Sequence, residues 1–442
     1  MDMKDNAQPL GPGPMLPAEA SIPSVFRDRV ARDYDRFARD GHPENLEAFL
    51  LDEYGLDVRS EYAGQLIRNP WGKASGQLSM NLNQVHEDAE GGLGFIVLKT
   101  VIAQDSSGDQ SMKAWAVPES RMVVEPIKAT SGETGWTVTW KGRGWWQPFE
   151  DYLQLVRDSR RLALESGVPV IPSCKFHLPA PGEAGWRESE YQHTVAKLLN
   201  AWHAGASVDA VHPPSPMPIE KDCSPTLAGS DRAAARSAIL SWIRESPRLI
   251  REAGRIWWQN RIQTPSEPQP CPVLVSIKLF NALFGDEFQV ELLQAVHAAP
   301  ANSRPDWLVW GNRLFDPDRE FDGHRGVAYG GPDLSDRNLR TMNAFREQHC
   351  GEVIPWSATG NITSGKMAVE YLLQGATSFQ LHTFFQLPAS EYRMKQGSRT
   401  RRALHELYFH PRKGLVVWLE HLRRLRDLEG PVRLLDLSGR IN

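Results

Sequence analysis

From about residue 60 onward, short apolar runs alternate with longer amphipathic segments, and no other feature constrains the fold as much. The runs fall at 95–98, 168–171, 208–211, 273–277, 307–310, 353–356 and 379–381, with an earlier one just before Ala74. Between them, segments 149–166, 189–203, 287–298 and 366–374 carry apolar residues at helical spacing. Strand then helix, repeated, calls for a parallel sheet, because a parallel neighbour is reached only through a crossover. Eight such units predict an α/β fold, a closed (β/α)8 TIM barrel. The alternative, an open doubly wound sheet, would show a GxGxxG turn after its first strand, and none is present.

A chain of 442 residues has room for one large barrel with additions at both ends. Residues 1–23 are rich in Pro, Gly and Ala and read as a flexible tail. Residues 24–59 read as an N-terminal helical extension, since Phe26, Val30, Tyr34 and Phe37 recur at helical spacing. The barrel then occupies 60–399, with insertions near 112–147 and 220–268. The first insertion predicts a hairpin from 123–125 and 136–140, and the second a helix over 231–259. Residues 400–442 form an Arg-rich C-terminal helical extension that begins with the last barrel helix, and its basic residues read as a solvated helix face.

Charge and cysteine usage exclude several functions. The formal net charge of -4 provides no field for nucleic acid or an anionic membrane. Cys174, Cys223, Cys271 and Cys350 are far apart, with no CxxC pair, which argues against a zinc site or a disulfide framework and suits a reducing cytoplasm. No apolar stretch is long enough for an integral membrane segment, and Asp2, Asp5 and the early prolines are unlike a signal peptide. The partner expected is a small-molecule substrate, and a homo-oligomer stays open.

In a barrel the chemistry belongs at the C-terminal ends of the strands. The polar residues there are "NPWGKASG" (69–76), Lys99-Thr100, "VHPPSPMP" (211–218), Lys278, Gly311-Asn312, Tyr329-Gly330-Gly331, Thr359-Gly360-Asn361 and His382-Thr383. Small residues at Ala74, Ser75 and Gly76 let a flat ring approach the backbone. Backbone N–H groups near Gly360-Asn361 and Thr383 suit a phosphate, the usual anion at the ends of strands seven and eight. Read blandly, Lys99 and Lys278 are strand-end lysines reaching water and Gly330-Gly331 is a turn. The order and spacing of the set carry more weight than any member.

That set resembles the dihydroorotate dehydrogenase (DHODH) family of FMN-dependent barrels, and its relative, the pyrimidine-reducing domain of dihydropyrimidine dehydrogenase. The likeness covers roughly residues 60–390 and is best in "NPWGKASG", "GFIVLKT", the strand ending in Lys278 and "ATGNITSGKMAVEYLLQGATSFQLHT". The family's last motif, G-T-G-G-I-x-[ST]-G, a helix, then G-A-x-x-x-Q-x-x-T, is matched at Thr359, Gly360, Ile362, Ser364, Gly365, Gly375, Ala376, Gln380 and Thr383. The resemblance implies FMN as cofactor. Ala74, Ser75 and Gly76 would line the ring, and Lys99 and Lys278 would contact the ring and ribityl chain. Gly330, Gly331, Thr359, Gly360, Asn361, His382 and Thr383 would surround the phosphate.

The family's active loop, N-L-[ST]-[CS]-P-N, is expected at 212–217. Ser215 then stands where the family has its proton-accepting Cys or Ser, with His212 as a second acid/base candidate. Against this, Ser215 also reads as a turn residue between prolines. Of the asparagines that hold the family's planar substrate, Asn312 is the one that survives, and "KGRGWW" replaces the substrate loop near 141–146. The expectation is therefore an FMN-dependent oxidoreductase acting on a CH–CH-type bond of a substrate other than dihydroorotate. Trp140, Trp145 and Trp146 would line a more apolar pocket or belong to the insertion's core. Two other classes remain: a non-catalytic flavin-barrel descendant used in binding or assembly, and a lyase forming a Schiff base on Lys278.

Overall fold

The computed structural model describes residues 14–439 apart from 118–121, 141–143, 181–182, 184, 205–214, 224–234, 262–270, 282–283 and 322. Its main sheet is parallel. We label the barrel strands β1 (Trp71–Lys73), β2 (Phe95–Val97, resuming at Val101–Ile102), β3 (Val170–Ile171, resuming at Ser173–Lys175) and β4 (Met217–Asp222). They continue with β5 (Val273–Phe280), β6 (Trp307–Asn312), β7 (Trp356–Thr359) and β8 (Ala376–Leu381). The first halves of β2 and β3 pair through Ile96 and Val170, and the second halves through Val101 and Cys174. Ser173 then pairs with Glu220 of β4, and Phe379 of β8 with Trp71 of β1, so the sheet closes on itself. The fold is a (β/α)8 TIM barrel.

Each strand is followed by a helix of the outer ring: α1 (Leu82–Gly91), α2 (Phe149–Ser166), α3 (Glu188–Trp202), α4 (Arg236–Gln259), α5 (Asp286–His297), α6 (Pro332–Gln348), α7 (Gly365–Leu373) and α8 (Arg399–Phe409). Helix Leu415–Leu425 lies against α7, and so closely that a Cβ on Gly365 would fall 1.9 Å from the Leu415 nitrogen. Helices Ser24–Asp40 and Leu46–Tyr54 precede the barrel, and the short strand after them, Leu56–Asp57, pairs in parallel with Val432–Arg433 near the other end of the chain.

The hairpin Ser60–Tyr62 with Gln65–Ile67 plugs the N-terminal end of the barrel. Tyr62 stacks on Phe95 with ring centroids 3.8 Å apart, and both pack with Val97, Ile171, Trp307 and Val309 in one buried cluster. Gly72 on β1 makes room for Phe95, whose ring would lie 2.2 Å from any Cβ there. The opposite end is roofed by two antiparallel hairpins, Met122–Lys128 with Thr134–Trp140 and Leu314–Phe321 with His324–Tyr329. Arg319 on the second hairpin pairs with Glu125 on the first.

Two strands differ from the sequence expectation. Strand seven runs from Trp356 to Thr359 rather than over 353–356. Strand four is Met217–Asp222, whereas the run at 208–211 lies outside the described residues. The apolar run was the wrong guide there, because β4 carries Glu220 and Lys221 fully buried. The second roof hairpin was not anticipated either, since its strands read as the charged stretch "LFDPDREF".

Candidate active site

A cavity of about 1320 Å³, its open mouth included, sits at the C-terminal ends of the strands. From β1 and β2 it takes Ala74, Ser75, Gly76, Lys99 and Thr100. Asp222 enters at the end of β4, Lys278 from β5 and Asn312 from β6. Gly330 and Gly331 follow the second roof hairpin, Thr359, Gly360 and Asn361 end β7, and His382 and Thr383 end β8. The roof adds Trp136, Phe315 and, from the loop after β2, Trp115.

Of the proton-transfer candidates, Ser215 falls elsewhere. Ser215 is exposed and lies two residues before β4, at the barrel end away from the cavity, because the strand starts later than its apolar neighbours suggested. His212 lies outside the described residues. With β4 relocated, the sequence after its C-terminal end reads Cys223-Ser224-Pro225. Only the [CS]-P part of the motif assigned from sequence to 212–217 is matched, with Ser224 in place of Ser215 and Cys223 where the motif has Ser or Thr. Residues 224–234 are outside the described set, so this match is one of sequence alone. Trp145 packs on Tyr152 and donates to the Pro148 carbonyl, and Trp146 is exposed; neither lines the cavity.

One side of the cavity is made of backbone. Gly331 caps the N-terminus of α6 with φ 97°, and a Cβ there would meet Ile127 at 2.5 Å. Gly360 has φ 110° and would press a Cβ to 2.9 Å from Asn338 and Leu334. Asn361 has φ 52°, the left-handed region that asparagine tolerates better than most residues. Its side-chain nitrogen donates to Ser335 Oγ at 2.9 Å, which anchors it to α6. Asn338 of α6 braces the same side by donating to the Gly311 and Thr359 carbonyls. Among the described residues, no acceptor takes the backbone N–H of Gly331, Gly360 or Asn361. Together with the positive end of α6 they form a site suited to an anion.

The other side is made of charge. Lys99 is 2% exposed, and among the described residues no hydrogen bond or ion pair holds its ammonium. Burial pushes it down to about 7, against the opposing pull of Asp222. Asp222 is paired with Lys175 at 3.1 Å, and Lys175 lies 4.1 Å from the centre of the Trp115 ring. Lys278 donates to Gln380 Oε1 at 3.2 Å and stands 3.6 Å from Glu220 Oε1. His382 is held well below the usual imidazole range by burial and by the positive charges of Arg313, Lys73, Lys99 and Lys278. A neutral histidine amid four cations marks a place where negative charge is stabilised. Among the described residues, no cluster of His, Cys, Asp or Glu suits a metal ion, and no helix is long and apolar enough to cross a membrane.

No protein-family model and no curated protein matches the sequence. Solved structures do match in fold. One is a DHODH from Eimeria tenella, crystallised with ferulenol, at 15% identity and a TM-score of 0.54, covering 96% of this chain and 97% of that one. At that identity the likeness shows a shared DHODH-like barrel and nothing finer.

Proposed function

We propose that this chain is an FMN-dependent oxidoreductase acting on a small molecule other than dihydroorotate. The observation that carries the reading is the pairing of two features in one cavity. Free backbone N–H groups at Gly331, Gly360 and Asn361 adjoin a helix N-terminus, and buried lysines stand on the opposite side. That is the donor set a phosphate joined to a ring of variable charge requires. The likeness to a DHODH fold supports it. Bound FMN would supply hydride acceptance at the ring.

The chain's own residues would do the rest. Gly331, Gly360, Asn361 and Thr383 would hold the phosphate. Ala74, Ser75 and Gly76 would let the ring lie against the β1 loop, where any larger residue at Gly76 would collide with His382 at 2.2 Å. Lys99 and Lys278 would stabilise negative charge on the ring. Trp115, Trp136 and Phe315 would exclude water from the open face and favour a substrate with apolar surface. Asn312 would offer an amide to a polar substrate edge. We place the protein in the cytoplasm on its cysteine usage.

The test is a visible spectrum. Purified protein, or protein refolded with FMN, is expected to be yellow with a stoichiometric flavin band. Colourless protein that takes up no FMN would overturn the reading and favour a barrel kept for binding.

A further inference from the structure

From the cavity floor a file of polar side chains runs into the barrel, and the flavin site as described uses only its first member, Ser75. Ser75 Oγ lies 2.6 Å from Thr100 Oγ1, and Thr100 Oγ1 lies 3.0 Å from Ser173 Oγ. Ser173 Oγ donates to Glu220 Oε1 at 3.4 Å. The four residues come from the ends or bodies of β1, β2, β3 and β4 in turn, so each step crosses to the next strand. Ser75 and Thr100 line the cavity, whereas Ser173 and Glu220 are 0% exposed.

The acceptor sets the direction. Ser173 gives its proton to the carboxylate, so its oxygen accepts from Thr100, and Thr100 in turn accepts from Ser75. This orientation leaves a lone pair of Ser75 facing the cavity. Glu220 is otherwise fully engaged: its Oε2 accepts from Gln380 at 2.7 Å, and Lys278 stands at Oε1. Tyr62 and Tyr152 also face it. Burial is the main cause that holds both phenols well above their ordinary range, and the charge of Glu220 adds to it.

Lys278 is the coupling element, because it lines the cavity and also pairs with Glu220. A negative charge forming above Lys278 competes for its ammonium and leaves Glu220 less compensated. A buried carboxylate with less compensation binds a proton more tightly.

We propose that Ser75, Thr100, Ser173 and Glu220 form a proton relay, in which Glu220 takes up a proton when the ring above Lys278 gains negative charge. The proposal rests on the flavin reading. The balance is simple. Substrate would give a hydride, that is one proton and two electrons, to bound flavin, and a second proton to Ser75 Oγ as its new double bond forms. Ser75, Thr100 and Ser173 each pass on their own proton, and the Glu220 carboxylate becomes a carboxylic acid.

The experiment is infrared difference spectroscopy of the FMN-loaded full chain as its flavin is photoreduced with EDTA as the electron donor. The wild type is expected to gain a buried carboxylic-acid C=O band, which is lost in Glu220→Gln. In Thr100→Val the band keeps its amplitude but rises at least tenfold later than the flavin is bleached. Ser173→Ala, which leaves Glu220 in place, is expected to delay it likewise and decides the matter if Glu220→Gln fails to fold. A yellow protein with no such band, a band unchanged in Glu220→Gln, or undelayed kinetics in both hydroxyl variants overturns the relay alone. A band lost instead in Ser224→Ala also overturns it. Protein that binds no FMN overturns the flavin reading, and the relay with it.

Discussion

At the β7–β8 side of the cavity the working groups are backbone N–H groups held by unusual dihedral angles, whereas at the β2–β5 side they are side-chain charges withdrawn from water. Gly331, Gly360 and Asn361 all have positive φ, and Asn361 turns its amide to Ser335. Lys99, Lys278 and Glu220 are 2%, 6% and 0% exposed. A backbone site depends on conformation and tolerates any residue that can adopt it. A buried charge depends on its partner, and removing one member strands the other. The two sides should therefore respond to substitution with different sizes and even different signs.

The largest effect is expected at Lys278. Lys278→Met removes the ammonium 3.6 Å from Glu220, so a buried carboxylate is left without its ion partner. Breaking such a pair costs about 3–5 kcal/mol, readable as a lower urea midpoint at unchanged slope. The double variant Lys278→Met with Glu220→Gln should recover part of that loss. If the single variant unfolds at the wild-type midpoint, Lys278 does not compensate Glu220 as described, and the contrast between the two sides fails.

The same contrast explains what could be read in the sequence. Apart from Gly331, the β7–β8 side lies within one stretch from Thr359 to Thr383, where glycines, a Ser N-cap and a following strand stand in contiguous order. Backbone sites depend on such local order, so this rim was legible. The strand before Lys278 was legible too, since "VLVSI" is apolar except at Ser276. Strand β4 was not, because its inward residues are charges that find partners only on the neighbouring strands: Glu220 with Lys278, and Asp222 with Lys175. Sequence spacing cannot show that compensation, so the apolar pattern passes over "MPIEKD" and sets the proton-transfer loop one segment early, at Ser215. The roof was partly hidden for a related reason. Hairpin Leu314–Phe321 with His324–Tyr329 carries charges such as Arg319 and Arg325, which pair with Glu125 and Asp318. Trp115 and Trp136 take the cavity-lining place expected of Trp145 and Trp146.

Lys99 should give an effect of opposite sign. Its folded value of about 7 lies below the ordinary 10.5. Between those values the unfolded chain binds a proton that the folded chain does not, so this group makes stability rise with pH across that window. Below about pH 7 its full penalty is present. Lys99→Met is therefore expected to stabilise the protein by about 1–3 kcal/mol at pH 6, with the gain shrinking toward pH 10. It should also weaken FMN binding, a gain in stability at the expense of the site. Urea titrations at pH 6 and pH 9, with flavin content measured alongside, check both halves. A loss of stability at pH 6 would mean that Lys99 has a partner that compensates its charge.

The smallest effect is expected at Asn361, and it tests the backbone side directly. Asn361→Gly adopts φ 52° without strain, but it loses the 2.9 Å bond to Ser335 and adds freedom to the unfolded chain. These terms oppose each other and leave a net change of less than about 1 kcal/mol. If the phosphate is held by the N–H of residue 361, FMN content should stay within about twofold, since glycine presents the same N–H. A tenfold fall would show that the asparagine side chain leaves Ser335 to bind the ligand itself. In that case the β7–β8 side would also depend on side chains, and its tolerance would be narrower than its dihedral angles imply.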